Sequence, residues 1–303
     1  MAAITTGSWA KAMWPGVNKF FGMKYNEYSP EWPEIFDKNT STKAFEEEVS
    51  ATGFGLAQIK TEGAPISYDT AEQGFVSRYT HATYALGFIV TQEMFDDNLY
   101  MEIGLKRAQS LAFSIRQTKE VVAANVLNRA FTAAYTGGDG VELCSLLHKN
   151  KSGGTWANEL ATAADLSDTA LEQACIDIAG FTNDRGLTIK VLPKKLIIPP
   201  DLEFEAARIL KSIQQPGTAN NDINAIRVLG KIPQGYCVNH FLTDTDAWFI
   251  KTDIPDGMKL FQRKAMSFSM DNDFDTTNAK FRAIERWSAG WSDPRGLFGS
   301  PGA

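Results

Sequence analysis

The chain has 303 residues, a net charge of −6 and three cysteines, enough for one large domain or two. The acidic balance excludes a general nucleic-acid binder, which needs a basic patch against phosphate, and Lys194-Lys195 is too small to supply one. Cys144, Cys175 and Cys237 stand at no metal-ligand or redox spacing and read as reduced, buried thiols of a cytosolic protein; no signal-peptide pattern opens the chain, and its most apolar short run, Tyr84 to Val90, is too short to span a membrane.

Residues 1 to about 50 carry Trp9, Trp14, Phe20, Phe21, Tyr25, Tyr28, Trp32 and Phe36 without a clear period, and Pro15, Pro30 and Pro33 interrupt them. So much ring area does not stay solvated. The segment either folds back on its own core or lies across a neighbouring molecule. Thr52 to Lys60 reads as extended, and Thr61-Glu62-Gly63-Ala64-Pro65 is turn chemistry. Phe75 to Val90 then reads as one strand, with Val76, Tyr84, Leu86, Phe88 and Val90 on one face and Ser77, Tyr79, His81 and Thr83 on the other. At about 3.3 Å per residue such a strand reaches roughly 50 Å. The pair predicts a long two-stranded ribbon that is marginal alone in water and needs a surface to rest on. His81 reads as a packed or pairing side chain.

From about Thr91 to Tyr135 small or apolar residues recur in helical steps: Met101, Leu105, Ala108, Ala112, Ile115, Val122, Val126, Ala130 and Ala133. Lys106, Gln109, Arg116, Gln117 and Glu120 line the opposite face, Asp96-Asp97-Asn98 offers a cap, and Gly137-Gly138 offers a stop. Leu99 to Ala134 would be a beam roughly 50 Å long. Two helices broken near Gly104 are the alternative. Downstream, Leu143 to Asp165 is loop-rich. Ser167 caps a helix to about Phe181, Leu187 to Ile198 is a strand kinked at Pro193, and Leu202 to Ser212 is a helix with acids in its first turn. Tyr236 to Asn239 and Ala247 to Lys251 are short strands. Met258 to Arg263, Ser267 to Asp271 and Lys280 to Trp291 are three more extended runs. The whole is an α+β pattern.

Chemical motifs are sparse. Asp271-Asn272-Asp273-Phe274-Asp275 starts like a calcium loop, but Thr276 and Arg282 stand where that loop needs Gly and Glu. Asp244, Asp246 and Asp253 could hold a divalent ion in a cytosolic metal-dependent hydrolase, and read more simply as turn and cap residues. No phosphate-binding glycine loop or nucleophile elbow occurs. No catalytic residue, cofactor site or metal ligand is assigned.

Several strings share a further property. Leu146 to Leu166 (LLHKNKSGGTWANELATAADL), Pro199 to Leu210 (PPDLEFEAARIL), Ala219 to Arg227 (ANNDINAIR), Asn239 to Asp253 (NHFLTDTDAWFIKTD) and Asp273 to Ala303 (DFDTTNAKFRAIERWSAGWSDPRGLFGSPGA) resemble the major capsid proteins of tailed bacteriophages, over roughly residues 50 to 303. The resemblance implies the coat fold first described for the Hong Kong 97 phage. It implies an N-terminal arm at 1–50, an extended β-ribbon loop at 51–90, a peripheral domain with a spine helix at 91–138 and 258–291, and an axial domain at 139–257 and 292–303. It also implies a structural protein of the virion, not an enzyme. Copies would assemble in the bacterial host cytoplasm through pentamers and hexamers into an icosahedral head around double-stranded DNA, without sequence-specific DNA binding and without a membrane. Its partners would be itself, a separate scaffolding protein (since the stretch before the loop is short), a portal and a decoration protein. A tail or minor head protein is the alternative within the virion. Some relatives carry covalent Lys–Asn links between subunits; Lys60, Asn272 and Asn278 match no linking motif, so no cross-linking residue is assigned.

Overall fold

Two four-stranded sheets and one long helix carry the fold of the computed structural model, which describes residues 18–91, 93, 100–215, 222–272 and 278–303. The first sheet runs β1 (Asp37–Thr40), β10 (Met258–Asn272), β11 (Ala279–Trp291), β4 (Ala82–Val90). β1 joins β10 in parallel and the other neighbours are antiparallel. The two runs read as separate strands at 258–263 and 267–271 are one strand, with bulges between Gln262 and Ser267 that keep it paired to β11.

The long helix, Tyr100–Asn128, lies on this sheet. It passes through Gly104 unbroken, and its length is roughly 44 Å. Small side chains let it approach closely: Ala108 packs with Val90 and Phe281, and Leu111, Ala112 and Ile115 with Phe21 and Ala283. It ends six residues short of the predicted Ala134. Asn128 stops it by donating to Phe241 O (3.1 Å) and accepting from Thr243 N (3.0 Å), and the Ala130 carbonyl turns to Cys144 N (2.9 Å). The predicted cap at Asp96 to Asn98 and the Met101 side chain lie outside the described residues.

The second sheet runs β12 (Leu297–Ser300), β9 (Trp248–Thr252), β7 (Pro193–Ile198), β8 (Tyr236–Val238). Its continuous apolar runs follow from burial on both faces. Leu196, Ile198, Trp248, Ile250 and Phe298 face one core with the helices Asp168–Ala179 and Glu203–Lys211. Ile197, Phe249 and Leu297 face another, shared with the first sheet, the end of the long helix and the short helix Trp32–Ile35. Ser167 caps its helix as predicted, accepting from Ala170 N at 3.2 Å. The predicted strand from Leu187 begins only at Pro193.

In the described part of the aromatic N-terminal segment, Phe21, Trp32, Ile35 and Phe36 are buried in the chain's own core. Phe21 stacks on Phe268 with centroids 4.4 Å apart. Residues 18–40 therefore fold back on their own subunit, while Trp9 and Trp14 lie outside the described residues. Among the described residues no helix is long and apolar enough to cross a membrane.

Candidate assembly surfaces

β2 (Phe45–Ala51) and β3 (Gln73–Thr80) form a separate two-stranded ribbon, paired from Phe45↔Thr80 to Ala51↔Gln73. The expected single strand over 75–90 is thus two strands that belong to different sheets. The break falls at His81, whose ring bonds Ser288 Oγ at 2.9 Å and Ser41 Oγ at 3.0 Å. Burial, with the nearby charges of Arg286 and Arg263 against that of Glu46, moves the His81 pKa below its ordinary value. The expected first strand at 52–60 is also displaced. The ribbon's partner is Phe45–Ala51, and 52–72 has no strand.

The ribbon turns its polar residues inward. Glu46 accepts from Ser41 Oγ at 2.7 Å. Glu48 pairs with Lys259 and accepts from Ser292 Oγ, which also bonds Tyr79 OH at 2.6 Å. Burial opposes the Lys259 charge, but its hydrogen bonds to Asp256 and Glu48 outweigh this and raise its pKa. Gly138 lies so close that a Cβ there would meet the Val76 carbonyl at 2.7 Å.

Beyond Ala51 the two sides are clasped by Thr52 and Glu72. The Thr52 N–H donates to Glu72 O at 3.0 Å, and the Glu72 N–H to Thr52 Oγ1 at 2.8 Å. Asp69 accepts from Gly55 N (2.7 Å), from Thr70 N (2.8 Å) and from Arg185, and these contacts, in that order, hold its carboxyl below the ordinary carboxylate range. The tip then exposes large apolar side chains: Leu56 at 74%, Ile59 at 95% and Tyr68 at 93%, with Phe54 and Ile66 also exposed. The ribbon's root rests on its own body, whereas among the described residues nothing covers these side chains at its tip.

A second apolar surface is formed by Phe204, Ile213, Ile223, Val228 and Leu229, all exposed, on and beside the helices Glu203–Lys211 and Ala225–Val228. A third lies along the outer face of the long helix at Phe113 and Val121.

The three acids weighed as a metal site are not brought together. Asp244 and Asp246 precede β9 and Asp253 follows it. Asp244 accepts from Asp246 N at 3.2 Å and Asp246 from Thr245 Oγ1, within one turn, whereas Asp253 accepts from the distant Leu192 N at 2.8 Å, tying the end of β9 to the segment before β7. Among the described residues no group of His, Cys, Asp and Glu could hold a metal ion; residues 273–277 of the acidic run lie outside them. All three cysteines are free thiols. Burial raises each of their pKa values, that of Cys237 to about 11.

The sequence reading missed two buried polar centres. Glu120, read as solvent-facing, accepts the N–H groups of Glu31 (3.1 Å) and Trp32 (3.0 Å) and so caps the short helix. Asn158, fully buried, donates to the carbonyls of Leu143, Pro294 and Leu297 and accepts from Ser145 N, pinning the start of β12 to the loop after the long helix. No local pattern marks either residue, because their partners are distant in sequence.

The sequence model described as phage capsid protein matches residues 74–299. A search of curated proteins returns no match. Among solved structures, the procapsid of bacteriophage JBD30 aligns with a TM-score of 0.53 and 13% identity, over 98% of this chain and 76% of that one. The capsid of a native GTA particle aligns with a TM-score of 0.53 and 12% identity, over 88% and 87%. At such identity the likeness is one of fold: a mixed α+β coat fold of the Hong Kong 97 type. The match over most of its length, with this fold, makes the chain a member of the phage capsid protein family.

Proposed function

We propose that many copies of this chain close, through pentamers and hexamers, the icosahedral head that encloses phage double-stranded DNA. The observation that carries this is the tip at 54–68, whose large apolar residues are left uncovered by the described residues of their own subunit. Covering one such side chain is worth about 1.5–3 kcal/mol, so a modest contact repeated around every subunit holds a shell. In this reading 139–257 and 292–303 form the axial region. Their exposed Phe204, Ile213, Ile223, Val228 and Leu229 meet their copies around the five-fold and six-fold axes. Residues 91–138 and 258–291 form the peripheral region, with the long helix as its spine. The protein is a wall component rather than an enzyme. A net charge of −6 suits a wall that confines DNA without gripping it. Assembly takes place in the host cytoplasm with a separate scaffolding protein, and a portal and decoration protein complete the head.

Electron microscopy of the expressed chain, with scaffold supplied, tests this: closed shells or rings of five and six support it. A discrete small oligomer with no rings contradicts it.

A further inference from the structure

The tip of the ribbon leaves the subunit where strand pairing has stopped. β2 ends at Ala51 and β3 starts at Gln73. Past the Thr52–Glu72 clasp one side chain from another part of the molecule joins the two sides. Arg185 Nε donates to Gly53 O at 3.0 Å on the outgoing side, and Nη2 donates to Asp69 Oδ1 at 2.7 Å and Thr70 O at 2.9 Å on the returning side. A planar guanidinium can hold several acceptors at fixed angles, which an ammonium cannot.

Arg185 is itself rigidly mounted. It sits in a tight turn where Asn183 Oδ1 accepts from Arg185 N and Leu187 N, both at 2.9 Å, and Asn183 N donates to Leu187 O at 2.8 Å. Gly186 supplies the left-handed residue, with φ of +76°. Buried Arg295 fixes the turn to the body, donating to Thr182 O at 2.7 Å and to Asp184 Oδ1 at 3.0 Å. The clamp thus runs from the second-sheet part of the molecule to the root of a limb that Lys259 of the first sheet also holds, through Glu48, and that Lys151 meets at the Phe75 ring.

We propose that Arg185 is a positioning residue for assembly, setting the angle at which the apolar tip is presented to a neighbouring copy. The inference rests on the capsid reading above. The Arg185 and Asp69 side chains are partly exposed, so water and salt weaken their ion pair. The clamp is therefore firm enough to bias the limb and weak enough to be released when the tip finds its seat.

The test compares wild type with Arg185→Ala, Arg185→Lys and Asp69→Asn, each as unassembled subunit and as assembled particle. Melting temperature serves as a check on the fold. In Arg185→Ala, the hydrogen-bonded amides of Gly55 and Thr70 at the tip should exchange about tenfold faster while those of β7 and β9 do not change, and the particles should become mixed in size or open. Arg185→Lys and Asp69→Asn should fall between. Should Arg185→Ala fail to fold, Asp69→Asn carries the same test. Unchanged exchange in the tip overturns the proposal, and so do faster exchange with uniform, wild-type-sized shells. Failure of the wild type itself to form shells strikes the capsid reading instead, while loop exchange in the subunit still reports whether Arg185 holds the limb.

Discussion

Lys119 on the long helix and Glu285 on β11 form an ion pair 3.3 Å apart, with both side chains buried. The ammonium lies 5.0 Å from the Trp32 ring and 5.5 Å from that of Trp287. Burial pulls the Lys119 pKa below its ordinary value and Glu285 pushes it back. The pair bolts the helix to the sheet. Removing one partner strands the other charge, so Glu285→Ala should cost about 3–5 kcal/mol. The double change Lys119→Met with Glu285→Leu should recover most of that. Urea unfolding of the unassembled subunit measures both, and an unchanged midpoint for Glu285→Ala would contradict this account.

The long helix has one face that cannot tolerate charge and one that can. Ile115 is buried against Phe21 and Ala283, whereas Phe113 is exposed. Ile115→Asp should abolish folding, because it buries an unpaired carboxylate. Phe113→Asp should fold with a melting temperature near wild type. Circular dichroism and melting curves decide; equal effects of the two would show that the helix is oriented otherwise.

How far these features were legible in the sequence depends on where their partners sit. The stripe Ala108, Ala112 and Ile115 announced the helix, since its period is local. The same reading put Glu120 in solvent, because its cap partners, the N–H groups of Glu31 and Trp32, are about ninety residues away. The ribbon was misjudged for a different reason. Phe45 and Val49 point outward while Glu46 and Glu48 point to the body, the reverse of the usual alternation. The inward face also changes phase just after His81, from Ser77, Tyr79 and His81 to Tyr84, Phe88 and Val90, as the partner changes from β2 to β11.

His81 gives the ribbon hinge a pH dependence. Its folded pKa is lowered from 6.5, so the folded state prefers the neutral ring. That contribution is present above the unfolded value and is lost as pH falls below about 6.5 through the folded pKa. Thermal melting between pH 7.5 and pH 5 should show a loss of stability, and His81→Asn should flatten it. An identical slope in the variant would remove His81 from this role.

Gly138→Ala tests the seating of the ribbon on its own body. The added methyl meets a backbone carbonyl, that of Val76, so the strand must move. A loss of about 1–3 kcal/mol is expected, together with faster amide exchange across β2 and β3. A variant as stable as wild type, with unchanged exchange, would mean the ribbon does not rest there.

The most direct measurement follows the tip from the free subunit into the particle. In Ile59→Cys the new thiol replaces the most exposed large apolar side chain among the described residues, while the native cysteines are buried or half-buried. Its alkylation, followed by mass spectrometry of the peptide, should be fast in the unassembled subunit and strongly suppressed in shells. Equal labelling before and after assembly would show that the tip is never covered by a neighbouring copy, and would contradict the account at its centre.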